Sequence, residues 1–227
     1  MRIVCISDTH SQVIPDDQMP DGDVLIHAGD ITNNGKIFWL QKQAEWFRHL
    51  VDTKYEHLVF CAGNHDFILD AFRKENAETA LPNLFGSTRI HYLRDSSCVL
   101  RFPGERSVRF YGTPWVNCGS WAFSEEDRLN RRAYFNLIPS DTDVLISHGP
   151  PYGILDRCEN EAHGFGPAGD IELLNAVERV RPLLHVFGHI HDGYGQAAYG
   201  STRFVNAAST QIKGEYVLGN APIVVDL

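Results

Sequence analysis

The sequence predicts an α/β domain with mixed sheets, on three observations. Five short apolar runs, at residues 3–6, 24–28, 58–62, 144–146 and 183–187, have the length and continuity of strands buried on both faces. Segments with helical spacing lie between several of them. Strand-like runs without clear helices, at 90–93, 99–102 and 108–111, fill the middle of the chain and read as a meander.

The first helix is expected from Lys36. Ile37, Leu40, Ala44, Phe47 and Val51 fall on one face, after a turn made by Asn33, Asn34 and Gly35. Ser124-Glu125-Glu126-Asp127 resembles a capping box opening a second helix. Asp170 is placed to cap a third, with Leu173, Val177 and Val180 on its buried face and Pro182 as its stop. Runs at 204–207 and 223–225 read as closing strands. No repeat or linker interrupts the 227 residues, so one domain over 1–227 is expected.

Composition narrows the class of function. With 43% hydrophobic and 22% charged residues, the chain can bury a sizeable core and is neither disordered nor fibrous. A net charge of −9 excludes a protein that grips long nucleic acid through its phosphates, because that requires a basic face. Cys5, Cys61, Cys98, Cys118 and Cys158 are scattered, with no C-x-x-C pair, and suggest neither a disulfide framework nor a thiolate metal site. The N-terminus shows no signal-type apolar segment and no run is long enough to span a bilayer, so a cytoplasmic protein without a membrane partner is expected. No obligate protein partner is legible.

The informative residues follow the apolar runs. They are Asp8-Thr9-His10, Gly29-Asp30, Gly63-Asn64-His65-Asp66, His148-Gly149-Pro150-Pro151 and Gly188-His189-Ile190-His191. Ligands of open α/β sheets bind at the carboxyl ends of strands, so the five clusters should converge there. Residues two apart on an extended chain point to one side, which lets Asp8 with His10, and His189 with His191, each aim two donors at one place. Imidazoles, carboxylates and one amide suit manganese, iron, zinc or nickel. Seven donors exceed what one ion with an open position needs, and fit two ions about 3.5–4 Å apart sharing a carboxylate.

These motifs resemble those of the calcineurin-like metallophosphoesterases, whose pattern D-x-H, G-D, G-N-H-[DE], H and G-H-x-H is present in order. Within that family the chain is most similar to the metallophosphoesterase-domain (MPPED) branch. The stretches IPDDQMPDGDVLIHAGDIT, YGTPW followed by WAF, NLIPSDTDVLISHGPPYGILD, ELLNAVERVRPLLHVFGHIHDGYG and the closing PIVVDL carry that likeness over nearly the whole chain. The resemblance implies a four-layer sandwich of two mixed β-sheets flanked by helices. It implies two divalent metal ions, manganese first, with iron, zinc, nickel or magnesium as other candidates. Asp8, His10, Asp30 and His191 would hold the first ion, and Asp30, Asn64, His148 and His189 the second. His65 would be the catalytic histidine facing the phosphate and leaving group, with Asp66 orienting it by a hydrogen bond.

The expected activity is that of a phosphodiesterase acting on small or nucleotide phosphodiesters by in-line attack of a metal-bridging hydroxide. Two divalent cations outweigh two aspartates, so an acidic chain still acquires a phosphate-attracting pocket. A weakly active nucleotide-binding or scaffolding protein that keeps the metal site is the alternative, and a protein phosphatase is disfavoured because no peptide-binding extension is visible. Trp115 and Asn117 are candidates for a substrate wall that stacks and hydrogen-bonds a base. The G-x-G-x-x-G match at 164–169 follows no strand and contains a proline, so it reads as a loop placed to cover the site and not as a dinucleotide motif. His27, His49, His57, His91, His163 and His185 match no ligand position and read as core or surface histidines.

Overall fold

A computed structural model describes residues 1–72, 81, 83–102, 104, 106–159, 165–213 and 215–227, and among them the strands and the main helices run in the following order. The first half contains β1 (Arg2–Ile6), β2 (Val24–His27), α1 (Ile37–Thr53), β3 (His57–Phe60), α2 (Phe67–Ala71), β4 (Ile90–Tyr92), β5 (Ser96–Leu100) and β6 (Val108–Thr113). The second contains α3 (Arg128–Asn136), β7 (Val144–Ser147), β8 (Arg157–Cys158), β9 (Gly166–Pro167), α4 (Ile171–Val180), β10 (Leu184–Phe187) and β11 (Gly195–Tyr199). It closes with β12 (Thr202–Asn206), β13 (Thr210–Ile212), β14 (Tyr216–Leu218) and β15 (Ile223–Asp226).

Two mixed sheets dominate. One has the order β15-β1-β2-β3-β4, parallel except for β15, and the other the order β11-β12-β10-β7-β6-β5, parallel in its middle four strands. Alternation along each strand builds the layers. Ile3, Cys5, Val24, Ile26 and Val59 of the first sheet pack against Phe110, Val144, Ile146, Val186 and Val205 of the second. Val4, Ile6, Leu25, Leu58 and Phe60 face the opposite way, onto Leu40, Ala44, Phe47, Leu50 and Val51 of α1. On the far side, Tyr111, Leu145, Phe187 and Phe204 meet Phe135 of α3 and Leu173, Val177 and Val180 of α4. The result is the expected four-layer sandwich of two mixed sheets flanked by helices.

Three local expectations are corrected. The middle strands are not a meander: β4 joins the first sheet beside β3, and only β5 and β6 form an antiparallel pair in the second. The cap of α3 is Asp127, whose carboxylate accepts from the Leu129 and Asn130 N–H groups; the Ser124 hydroxyl accepts from Cys118 N–H instead. Ile37 is 47% exposed, because the buried face of α1 starts a turn later at Leu40. Asp170 does cap α4, accepting from Glu172 and Leu173 N–H. Among the described residues no helix is long and apolar enough to cross a membrane.

Candidate metal centre

β1, β2 and β3 run parallel, as do β7 and β10, so each sheet brings its motif loops to the carboxyl ends of its strands. Backbone groups join the two sets. His148 Nδ1 donates to Ala28 O at 3.0 Å, and the His189 N–H reaches the Asp8 carboxylate at 3.1 Å. The five predicted clusters thereby meet across the mouth between the two sheets, and not along the edge of one.

Asp8 Oδ1 is 3.2 Å from His191 Nε2, and His191 Nε2 is 3.5 Å from His10 Nε2. His10 Nε2 is 3.8 Å from Asp30 Oδ2, while Asp30 Oδ1 accepts the His65 N–H at 2.8 Å and lies 3.5 Å from His148 Nε2. Asn64 Oδ1 is 2.8 Å from the same His148 nitrogen. Three sets, Asp8-His10-His191, His10-Asp30-His65 and Asp8-Asp30-His148, each bring their ligand atoms within 4.8 Å of one another. His189 stands beside them, its ring 5.0 Å from that of His148. Asp8, His10, Asp30 and His189 hold left-handed backbone, with φ of 52°, 45°, 53° and 66°.

The glycines of the motifs admit this crowding. A Cβ on Gly188 would stand 1.9 Å from Asp8 Oδ2, and one on Gly63 would stand 2.3 Å from Asp30 Oδ1.

The donor set fits divalent ions. Asp8 and Asp30 are 0% and 2% exposed, and among the described residues their ion-pair partners are histidines alone. Two buried carboxylates with no lysine or arginine call for a cation, and oxygen and imidazole donors without thiolate suit a hard or borderline one. Burial raises the Asp8 carboxyl, but the charge and hydrogen bond of His191 outweigh it and hold it well below the usual range. His148 does the same for Asp30. Burial works against a proton on His148, yet the Asp30 carboxylate pushes that imidazole up to about 9. His10 goes the other way, down to about 4, since burial there exceeds the pull of Asp30 and Asp8.

His65 Nδ1 donates to Asn33 O at 2.7 Å, which leaves Nε2 turned into the site, 3.3 Å from the Tyr216 hydroxyl and 4.0 Å from Asp30 Oδ2. The expected bond from Asp66 is not made. The Asp66 carboxylate instead accepts from the N–H groups of Ile31, Thr32 and Gly63 and from the Thr32 hydroxyl. It staples the Asp30 loop to the Asn64 loop, and the Asn33 carbonyl orients His65 in its place. Burial and the Asp30 charge push the Asp66 carboxyl up to about 6 despite those bonds.

Residues outside the motifs complete the site. Tyr216, on β14, stacks on His10 with ring centroids 3.7 Å apart, and its backbone carbonyl accepts from the Gln12 side chain at 3.1 Å. Thr210 Oγ1 donates to Asp8 O at 2.8 Å and lies 3.4 Å from His191 Nδ1. Trp121 lies 4.4 Å from the His65 ring. Trp121 belongs to the WAF stretch that carries part of the family likeness, whereas Tyr216 and Thr210 follow the last motif with no pattern to mark them.

Trp115 and Asn117 line a pocket of about 240 Å³ together with Tyr152, Asp170 and His189. The Trp115 ring also stacks on Tyr134 at 4.0 Å and its N–H donates to Asp95 at 2.8 Å, so one of its faces is already covered. His163 and Gly164 lie outside the described residues; Gly166–Pro167 pairs with Arg157–Cys158 as a short ribbon. The other non-ligand histidines have partners of their own: His27 with Thr9, His49 with Asp16, His57 with His91, and His185 with Ser147.

Two helix-flanked mixed sheets that bury an aspartate, histidine and asparagine cluster at facing strand ends define a metallophosphoesterase fold and site. The calcineurin-like phosphoesterase family profile matches residues 1–193, and the chain belongs to that family. It is 39% identical to human Metallophosphoesterase domain-containing protein 1, over 100% of this chain and 71% of that one. It is 35% identical to the Caenorhabditis elegans UPF0046 protein K07C11.7, over 92% and 69%. The crystal structure of the Mycobacterium tuberculosis phosphopantetheinyl hydrolase superposes with a TM-score of 0.57 at 16% identity, covering 91% of this chain and 88% of that one. At that identity the likeness concerns the fold.

Proposed function

We infer that this metal-dependent phosphoesterase is a binuclear phosphodiesterase acting on small phosphodiesters, nucleotide diesters among them. The observation that carries the reading is the intact donor set around Asp30, whose two oxygens face His148 on one side and His10 on the other. Asp8, His10 and His191 gather on the His10 side, and Asn64, His148 and His189 on the other, which supports a reading in which two ions share Asp30. The ions, when bound, supply Lewis acidity and an activated water. His65 Nε2 faces the same space and, when protonated, donates to the departing oxygen; the Asn33 carbonyl keeps the ring aimed while it does so. Trp115 and Asn117 remain candidates for contacts beyond the phosphate, on the His189 side.

Hydrolysis of bis-p-nitrophenyl phosphate tests the proposal. Activity is expected with added manganese, abolished by chelator and restored by metal. No turnover with manganese, iron, zinc, nickel or magnesium would overturn it.

A further inference from the structure

The open side of His65 is bounded by aromatic rings. Trp121 lies 4.4 Å from the imidazole and is 44% exposed; Phe67, 40% exposed, lies 5.7 Å beyond it. Tyr216 closes the other side, edge-on to His65 at 5.5 Å. Large aromatic side chains half in water beside a reacting group are unusual unless something covers them in use. Phe67 is the first residue of α2, whose buried residue is Leu69, and Trp121 sits in a turn held by its backbone N–H to Cys118 O.

Acidic residues flank this wall along the chain. The chain carries a net −9, and Glu125, Glu126 and Asp127 follow Trp121 within six residues. Arg94, which packs over Phe123, is already bound to Leu69 O, Phe72 O and Asp70. A flat apolar group would displace water from two of these rings. Because His65 faces the leaving oxygen, that group is the one attached to it.

We propose that Trp121 and Phe67 form a subsite for an aromatic or similarly flat apolar alcohol as the leaving group of the phosphoester, so that the substrate is a phosphodiester with an apolar arm. This rests on the phosphoesterase reading above, and narrows it. The test is equilibrium binding of methylphosphonate and phenylphosphonate to manganese-loaded protein by calorimetry, since the two share a head group and neither can be hydrolysed. Phenylphosphonate is expected to bind about tenfold or more tightly on wild type. That preference should shrink to within about twofold in Trp121→Ala and to an intermediate value in Phe67→Ala, with methylphosphonate unchanged in both. Equal affinities on wild type would overturn the subsite. So would a loss of both ligands in parallel in Trp121→Ala, which would make Trp121 a support for the metal loops. Retained phenyl preference with no turnover of bis-p-nitrophenyl phosphate would instead overturn the phosphoesterase reading, and leave a ring-binding wall that is not a leaving-group subsite.

Discussion

Asp30 and Asn64 differ in what they hold, and their replacement should separate the two halves of the centre. Asp30 has donors on both sides, so Asp30→Ala is expected to weaken two ions, while Asn64→Ala, which removes only the His148 neighbour, should chiefly weaken one. Elemental analysis of metal-loaded variants checks this; one ion per chain with Asp30→Ala unaffected would contradict the shared carboxylate. His65→Ala should keep its metals and lose on the order of 10²-fold in turnover, because the imidazole acts on charge that develops in the transition state. Metal loss equal to that of His189→Ala would make His65 a ligand. At this scale the sequence was most legible where chemistry is contiguous: Asp8, His10, Asp30, Asn64, His148, His189 and His191 stand in short motifs at strand ends. It misled where adjacency suggested contact. Asp66 follows His65 directly, yet its carboxylate turns back to the Asp30 loop while a carbonyl 32 residues upstream takes the imidazole. Tyr216 was invisible because its position beside His10 depends on a ribbon formed late in the chain.

The elements that carry these residues depend on two differently placed caps. Asp170 accepts two N–H groups of α4 and also pairs with Arg131 of α3, whose side chain is 9% exposed. Asp170→Ala therefore removes a cap, about 1 kcal/mol, and leaves a buried guanidinium without its carboxylate. A total of about 3 kcal/mol is expected. Asp127→Ala, at an exposed cap with no such pairing, should cost only about 1 kcal/mol. Urea unfolding of the two variants compares them directly, and equal losses would mean the Arg131 pair contributes nothing. Helix faces and buried strands were readable because periodicity records them. The capping residue at α3 was ambiguous because Ser124 and Asp127 both suit a helix start, and only the backbone path decides which one reaches the N–H groups.

For the molecule as a whole, the sheets bury imidazoles that acid must charge. His185 is fully buried between Phe187 and Phe204, with one bond to Ser147, and burial drives its imidazole down to about 3. The unfolded chain takes up that proton near pH 6.5 and the folded one does not, so the contribution to stability is complete above about pH 6.5 and is lost as pH falls. Each unit in that window costs about 1.4 kcal/mol per such imidazole. His185→Phe in metal-free protein should lose about 2 kcal/mol less than wild type between pH 7 and pH 5, read from urea unfolding at both. Identical pH slopes would show that His185 is protonated in the folded state. The α/β class with mixed sheets was legible from the apolar runs and the four layers from the family resemblance, but strand order was not. Which sheet receives β4, and that β15 returns to pair with β1, are settled by packing between distant segments, and a linear pattern does not encode them.

The left-handed backbone at Asp8, His10, Asp30 and His189 bears on which replacements the fold tolerates there. A residue with a Cβ at such φ is held there at a cost of about 1–3 kcal/mol, which glycine does not incur. His189→Gly should accordingly unfold at a higher urea concentration than His189→Ala, although both forfeit the same ligand. Glycine is thus the replacement at these four positions that removes a ligand while relieving the backbone, so loss of metal and loss of fold are separable there.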